Sequence, residues 1–281
     1  MMACDTAFRI IARRYLGDLT TNQDATCKGD PTALHQMRVA LMRLRTAILF
    51  FSPMVADSQQ TQIGDGLKWL NAHLGAVRDL DVAIGRLGEI DKQRPRAASY
   101  LQSWHKKRAD SHRLLARALQ SARYRRLIKD TSGWIENGPW SIKRGKQAAN
   151  ERACPIAEYG ADKLTQWQRK LLKKSRRLLK MDAEKRHRLR LLNKKLSYSI
   201  EAFEDLFSDK RFATLPAGLK HLRKAQRSLG QLNDDERGRA LAATLERDDA
   251  RAPWHFLGPK REKRLLQAAA TAYRKLAALE N

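Results

Sequence analysis

Two histidines, each opening a run of cations on a leucine-rich segment, are the residues of this chain best placed to do chemistry. His35 begins HQMRVALMRLRTAILFF and His187 begins HRLRLLNKKLSYSIEAF. They lie 152 residues apart (187 − 35), and at that offset Arg38 matches Arg190, Arg43 matches Lys195 and Leu44 matches Leu196. An imidazole can move a proton, accept a phosphoryl group or contact an anion. Arginine grips phosphate oxygens in pairs with its planar fork, and lysine adds a mobile point charge. Phosphoanhydride chemistry would need more, such as a metal held by carboxylates or a phosphate loop. The chain has no G-x-x-x-x-G-K-[ST], no H-E-x-x-H and no G-x-S-x-G, and its carboxylates are dispersed or sit at expected helix starts. The histidines therefore read as anion contacts or structural hydrogen-bonders, and the expectation is a binder, not an enzyme, with no cofactor and no metal.

The elements that must position these residues are helices. Ala, Leu, Arg, Lys and Gln dominate and β-branched residues are sparse, which favours an all-α fold. At about 100° per residue, Leu34, Met37, Leu41, Leu44, Ile48 and Phe51 form one apolar stripe. His35, Arg38, Met42 and Arg45 form an adjacent stripe, and Arg43 points to the far flank. In the second segment the apolar stripe is Leu189, Leu192, Leu196, Ile200 and Phe203. His187, Arg190 and Lys194 lie beside it, with Lys195 on the flank.

The repetition is wider than one helix. Gly66-Leu67-Lys68 matches Gly218-Leu219-Lys220 at the same offset, and Leu74-Gly75 matches Leu229-Gly230 at 155. Each Leu-Gly reads as a helix stop, followed by a new helix starting at Asp79 or Asp234. The carboxylates there read as N-caps, with orientation of nearby basic side chains as the alternative. Asp30-Pro31-Thr32 is a helix start. The stretch TSGWIENGPW, with two Gly and a Pro, is the clearest linker after a long basic helix that ends at Asp130. This divides the chain into a helical half over 1–130, a linker over 131–155 and a second half over 156–281. The expected architecture is two pseudo-symmetric antiparallel helical bundles arising from an internal duplication.

A formal net charge of +26 narrows the partners. So large a charge opposes compaction and points to nucleic acid, an anionic membrane, an acidic protein or a polyphosphate. Cys4, Cys27 and Cys154 are scattered, which fits neither a disulfide scaffold nor a zinc site and suits a reducing cytoplasm. The N-terminal segment lacks the uninterrupted apolar core of a signal peptide, and no stretch approaches a membrane span.

The strings HQMRVALMRLRTAILFF, LG-x-x-RDLDV and HRLRLLNKKLSYSIEAF resemble the CHAD domain, the conserved-histidine α-helical domain, and the resemblance covers nearly the whole chain as a single such domain. It implies two pseudo-symmetric bundles with a basic cavity or groove between them, binding of inorganic polyphosphate, and attachment of some members to polyphosphate granules. By position it implies ligand contacts from His35, Arg38, Arg43, Arg45, His187, Arg190, Lys194 and Lys195, with Lys68, Lys220 and Arg78 as a second tier. The chain departs from the family pattern at Met42, where a basic residue is usual, and at Ser197, where the second copy usually repeats the arginine. Both sit on the polar stripe in this reading, so somewhat fewer anion contacts are expected. The triphosphatase barrel fused to some members carries E-x-E-x-K, which is absent here.

The expected ligand is thus inorganic polyphosphate, bound without catalysis, in a cytoplasmic protein that associates with polyphosphate granules or acts as a scaffold. A polyphosphate-metabolising enzyme is a further partner consistent with that role. The alternative is a basic helical protein that binds nucleic acid. Scattered tryptophans and the lack of a reader motif weigh against nucleic acid as a specific ligand. Leucine faces committed to bundle cores leave little for a membrane. With no heptad seam outside those faces, a monomer is the default.

Overall fold

The computed structural model describes residues 2–91, 98–204, 215–245 and 257–279. Among them the chain is helical throughout: α1 (Cys4–Thr21), α2 (Gln23–Cys27), α3 (Pro31–Phe50), α4 (Ser52–Val55), α5 (Ser58–Asp91), α6 (Ala98–Gln120) and α7 (Ala122–Asn137), then α8 (Pro139–Ile142), α9 (Lys146–Ala153), α10 (Ile156–Ser175), α11 (Ala183–Glu204), α12 (Leu215–Leu245) and α13 (Pro259–Ala277). A short 3-10 turn, Leu178–Lys180, precedes α11. The described residues hold no strand; a single antiparallel bridge joins Ala3 to Pro155. The expected all-α fold is the observed one.

The chain divides into two compact units, residues 1–85 with 101–159, and residues 86–100 with 160–281. The boundaries fall inside α5, α6 and α10, not in a linker. The segment 131–155, read as a connection, carries the end of α7 and both α8 and α9. Its tryptophans explain why. Trp134 and Trp140 are fully buried, and Phe8 meets both edge-on, with ring centroids at 5.6 and 5.3 Å. Each such pair adds about 0.5–1.5 kcal/mol beyond the area it buries. Asp57 joins the cluster, accepting from Trp134 Nε1 at 3.0 Å and from the Trp140 backbone N–H at 3.1 Å. Trp140 Nε1 donates to the Trp134 carbonyl at 2.8 Å. Gly138 is required between the two rings, because a Cβ there would stand 2.6 Å from Trp134 and 2.8 Å from Trp140. Gly138 marks a tight, buried corner of the first unit, with Pro139 exposed beside it.

The Leu-Gly pairs do not stop helices. α5 runs through Gly75 and α12 through Gly230. A mid-helix glycine costs about 1 kcal/mol. Each large apolar side chain buried on the same stripe returns about 1.5–3 kcal/mol. Leu67, Leu70, Leu74, Val77 and Leu80 are all buried along α5, so the stripe crosses Gly75 unbroken and packing wins. Asp79 and Asp234 are consequently interior helix residues, and the N-cap reading fails for both. Asp30 does cap α3, accepting from the Thr32 and Ala33 N–H groups at 2.7 and 3.3 Å, with Pro31 in the first turn. The expected long helix before Asp130 breaks at Ser121, whose Oγ caps α7 by accepting from Tyr124 N.

Candidate anion-binding site

In the first unit α3 is held by Leu34, Met37, Leu41, Leu44 and Ile48, all buried, as its periodicity requires. His35 is exposed at the N-terminal end of the helix, while Arg38, Arg43 and Arg45 are half-buried along it. His35, Arg38 and Arg45 share a face. Arg38 reaches α5, with Nη1 3.4 Å from the point a Cβ on Gly75 would occupy. Arg43 lies about 140° round the helix from Arg38. Its guanidinium sits 5.8 Å from the centroid of Tyr15 on α1. Burial holds the Arg45 guanidinium below the usual arginine range. A nearby anion would act in the opposite sense, favouring its charged form.

On α5, Arg78 is half-buried, whereas Lys68 is exposed and paired with Asp65 at 2.8 Å. Asp81 orients a cation as the alternative reading of this segment anticipated for its neighbour. It accepts from Arg108 Nε of α6 at 2.6 Å, with only 8 % of its side chain exposed. His112, one turn along α6, holds the Thr26 carbonyl at 3.0 Å.

In the second unit α11 carries His187, Arg190, Lys194 and Lys195, all half-buried. His187, Arg190 and Lys194 share a face, and Lys195 lies on the flank. His187 Nδ1 is 2.6 Å from Asn233 Oδ1 on α12. With the amide oxygen as acceptor, Nδ1 carries the hydrogen, and Nε2 is the ring nitrogen left for a ligand. A pocket of about 300 Å³ opens beside this pair. Its polar lining mixes Arg186 and Arg237 with Glu184 and Glu236, so its field is not purely positive. Arg186 is tied to Glu262 of α13 at 2.7 Å. Asp234 lies 3.8 Å from Arg86, which meets the orienting alternative for that residue. Lys220 is exposed on α12, next to His221. Burial, and then the charges of Lys275, Lys220 and Lys224, hold the His221 imidazole below the usual histidine range.

Two residues on the α11 core face differ from the reading of the sequence. Asn193, not Leu192, occupies the stripe: it is fully buried and donates to the Leu222 carbonyl and to Gln226 Oε1, both at 3.1 Å. Ser197 is also buried, its hydroxyl donating to the Asn193 carbonyl at 3.0 Å. It faces inward, off the polar stripe. The apolar spacing of 189, 193, 196 and 200 repeats 37, 41, 44 and 48 at the offset of 152, but the polar identity of Asn193 hides it. Asn233 was likewise not legible as a histidine partner. At the offset of 155 it stands where the first copy has Arg78, so the arginine of LG-x-x-R is replaced by an amide.

Among the described residues, no group of three or more His, Cys, Asp or Glu could hold a metal ion, and no helix is long and apolar enough to cross a membrane.

A CHAD domain model matches residues 10–243, and the chain belongs to that family. It is similar to the crystal structure of the CHAD domain from the plant Ricinus communis, with a TM-score of 0.74 and 26 % identity, covering 98 % of this chain and 87 % of that one. It also shares the fold of PptA from Streptomyces chartreusis, with a TM-score of 0.65 and 13 % identity, over 99 % of this chain and 97 % of that one. No curated protein matches the chain.

Proposed function

We propose that this protein binds inorganic polyphosphate through the cationic faces of α3 and α11 and does not hydrolyse it. The observation that carries this reading is the repeated placement of cations: exposed His35 and half-buried Arg38 and Arg45 share a face of α3, and half-buried His187, Arg190 and Lys194 share a face of α11. Each helix spends its leucines on its own unit and presents cations beside them. Half-burial suits phosphate recognition, since a guanidinium lifted partly out of water gains more from a bidentate oxygen pair than a solvated one. Arg43 and Lys195 lie on the flanks and extend the positive field. Lys68, Lys220 and Arg78 form an outer tier. The net charge of +26 draws a polyanion to either unit and releases its counterions on binding. Family membership supports the same ligand class. Association with polyphosphate granules, or recruitment of a polyphosphate-metabolising enzyme, follows as the cellular use of such a binder.

The test is a competition titration of long-chain polyphosphate against DNA, RNA and heparin over a salt series. Polyphosphate should displace the others at physiological salt. Equal competition by DNA would favour the nucleic-acid reading and end this one. Arg38→Glu and Arg190→Glu should each weaken polyphosphate binding with helicity intact, and unchanged affinity in both would reject these helix faces as the site. Incubation with magnesium and polyphosphate should release no orthophosphate; steady release would make the protein an enzyme.

A further inference from the structure

Two of the three cysteines meet in the first unit. The residues just before α1 run antiparallel to those just after α9. Ala3 bridges Pro155, the Cys4 N–H donates to the Cys154 carbonyl at 3.0 Å, and the Ile156 N–H donates to the Met2 carbonyl at 3.0 Å. In that register Cys4 and Cys154 stand directly opposite each other, with their side chains on the same side. Directly opposed residues of an antiparallel pair have Cα atoms about 4.5–5.5 Å apart, inside the roughly 4.4–6.8 Å that a disulfide spans. Each thiol lies close enough for Cys154 to bear on the ionisation of Cys4, and the Cys154 Sγ–H donates to the Pro155 carbonyl at 3.8 Å. The surroundings hold this arrangement from both sides: Cys4 is fully buried at the start of α1, and the Tyr159 hydroxyl, one turn into α10, donates to the Phe50 carbonyl at 2.6 Å. Cys27 lies at the end of α2 and takes no part.

We infer that Cys4 and Cys154 form an oxidation site that a peroxide converts to an intramolecular disulfide. Cys154 is half-buried and accessible, and Cys4 is buried beneath it. The Cys154 sulfur attacks one peroxide oxygen; the O–O bond breaks, water leaves, and Cys154 becomes a sulfenic acid. The Cys4 sulfur then attacks the Cys154 sulfur. The S–O bond breaks, and the departing hydroxide takes up the Cys4 proton as a second water. Two thiols and one hydrogen peroxide thus give one disulfide and two waters. The order follows from access and from the environment of Cys4. Burial, then the neighbouring Cys154, pushes its thiol up to about 12, so it stays protonated until a sulfenic acid stands against it. The product staples the N-terminal helix to the α9–α10 junction and closes a loop of about 150 residues (154 − 4). Loops of that size raise the melting temperature by about 10 °C in the chain-entropy account. The site does not depend on the anion-binding reading.

The experiment treats the full chain with hydrogen peroxide at one equivalent and maps peptides by mass under non-reducing conditions. The expected product is a Cys4–Cys154 cross-linked peptide lacking two hydrogens, with a higher melting temperature that dithiothreitol reverses. Cys27→Ser should change neither. In Cys4→Ser, Cys154 should proceed to the sulfinic acid faster than in the wild type, because the resolving thiol is gone. If that variant fails to fold, the wild-type map decides alone. Cross-links through Cys27, chain-to-chain disulfides as the main product, or wild-type Cys154 accumulating as sulfinic acid would overturn the inference.

Discussion

The Arg38 guanidinium lies against the backbone of α5 at Gly75, its Nη1 3.4 Å from where a Cβ would stand. The glycine that looks like a helix stop is the place where α5 leaves room for a cation of α3. The corresponding Gly230 has nothing within 4 Å of its Cβ position, so the two copies differ here.

That difference separates two substitutions. A Cβ at 3.4 Å is ordinary contact, so Gly75→Ala and Gly230→Ala should each stabilise the chain by up to about 1 kcal/mol through helix propensity alone. Gly75→Leu should push Arg38 aside and weaken polyphosphate binding several-fold, while Gly230→Leu should leave affinity near wild type. Thermal melts and the competition titration measure both. Equal loss in the two leucine variants would detach Gly75 from the site.

The His187–Asn233 contact is the best-defined polar pair on the α11 face. Asn233→Ala removes the acceptor of Nδ1 and should cost about 1–2 kcal/mol of stability. It should also free the ring to change tautomer, which nitrogen-15 chemical shifts of His187 report directly. Unaltered shifts in the variant would mean that the amide does not set the ring.

His221 tests the outer tier. Burial and the surrounding lysines hold it below the usual histidine range. A polyanion seated at Lys220 would offset that repulsion, raise the histidine toward or above its ordinary value of about 6.5 and draw in a proton. Binding should then strengthen as pH falls from 7 to 6, and the His221 proton resonance should titrate at higher pH in the complex. A titration unchanged by ligand would remove Lys220 from the contact set.

Acid stability has a local source in the first unit. Arg13 clamps Glu136 with Nε and Nη2 at 2.9 and 2.7 Å. Those hydrogen bonds, ahead of the charge attraction of Arg13 and Arg9, hold the Glu136 carboxyl below its usual 4.5. A depressed carboxyl contributes stability that is present above the unfolded value and lost as pH falls through the folded one. Glu136→Gln should therefore lower the melting temperature slightly at pH 7 and converge on the wild type under strongly acidic conditions. Melts across pH 2–7 check the convergence, and a constant gap would assign the loss to packing.

What the chain settles by itself is helicity, the core face of α3 and the duplicated order of cations. These depend on local propensity and on a spacing near 3.6 residues, both legible without a fold. Leu34, Met37, Leu41, Leu44 and Ile48 are buried as their spacing demands. Where helices end, and which polar residues turn inward, depends instead on what packs against them. Leu74, Val77 and Leu80 carry α5 through Gly75 because a neighbouring core rewards burial more than glycine penalises it. Trp134 and Trp140 bring an apparent linker into the interior because Phe8 and Asp57 are there to receive them. Asn193 can stand in a leucine's place because the Leu222 carbonyl and Gln226 satisfy its amide. In each case the deciding partner is remote in sequence, so periodicity alone could not name it.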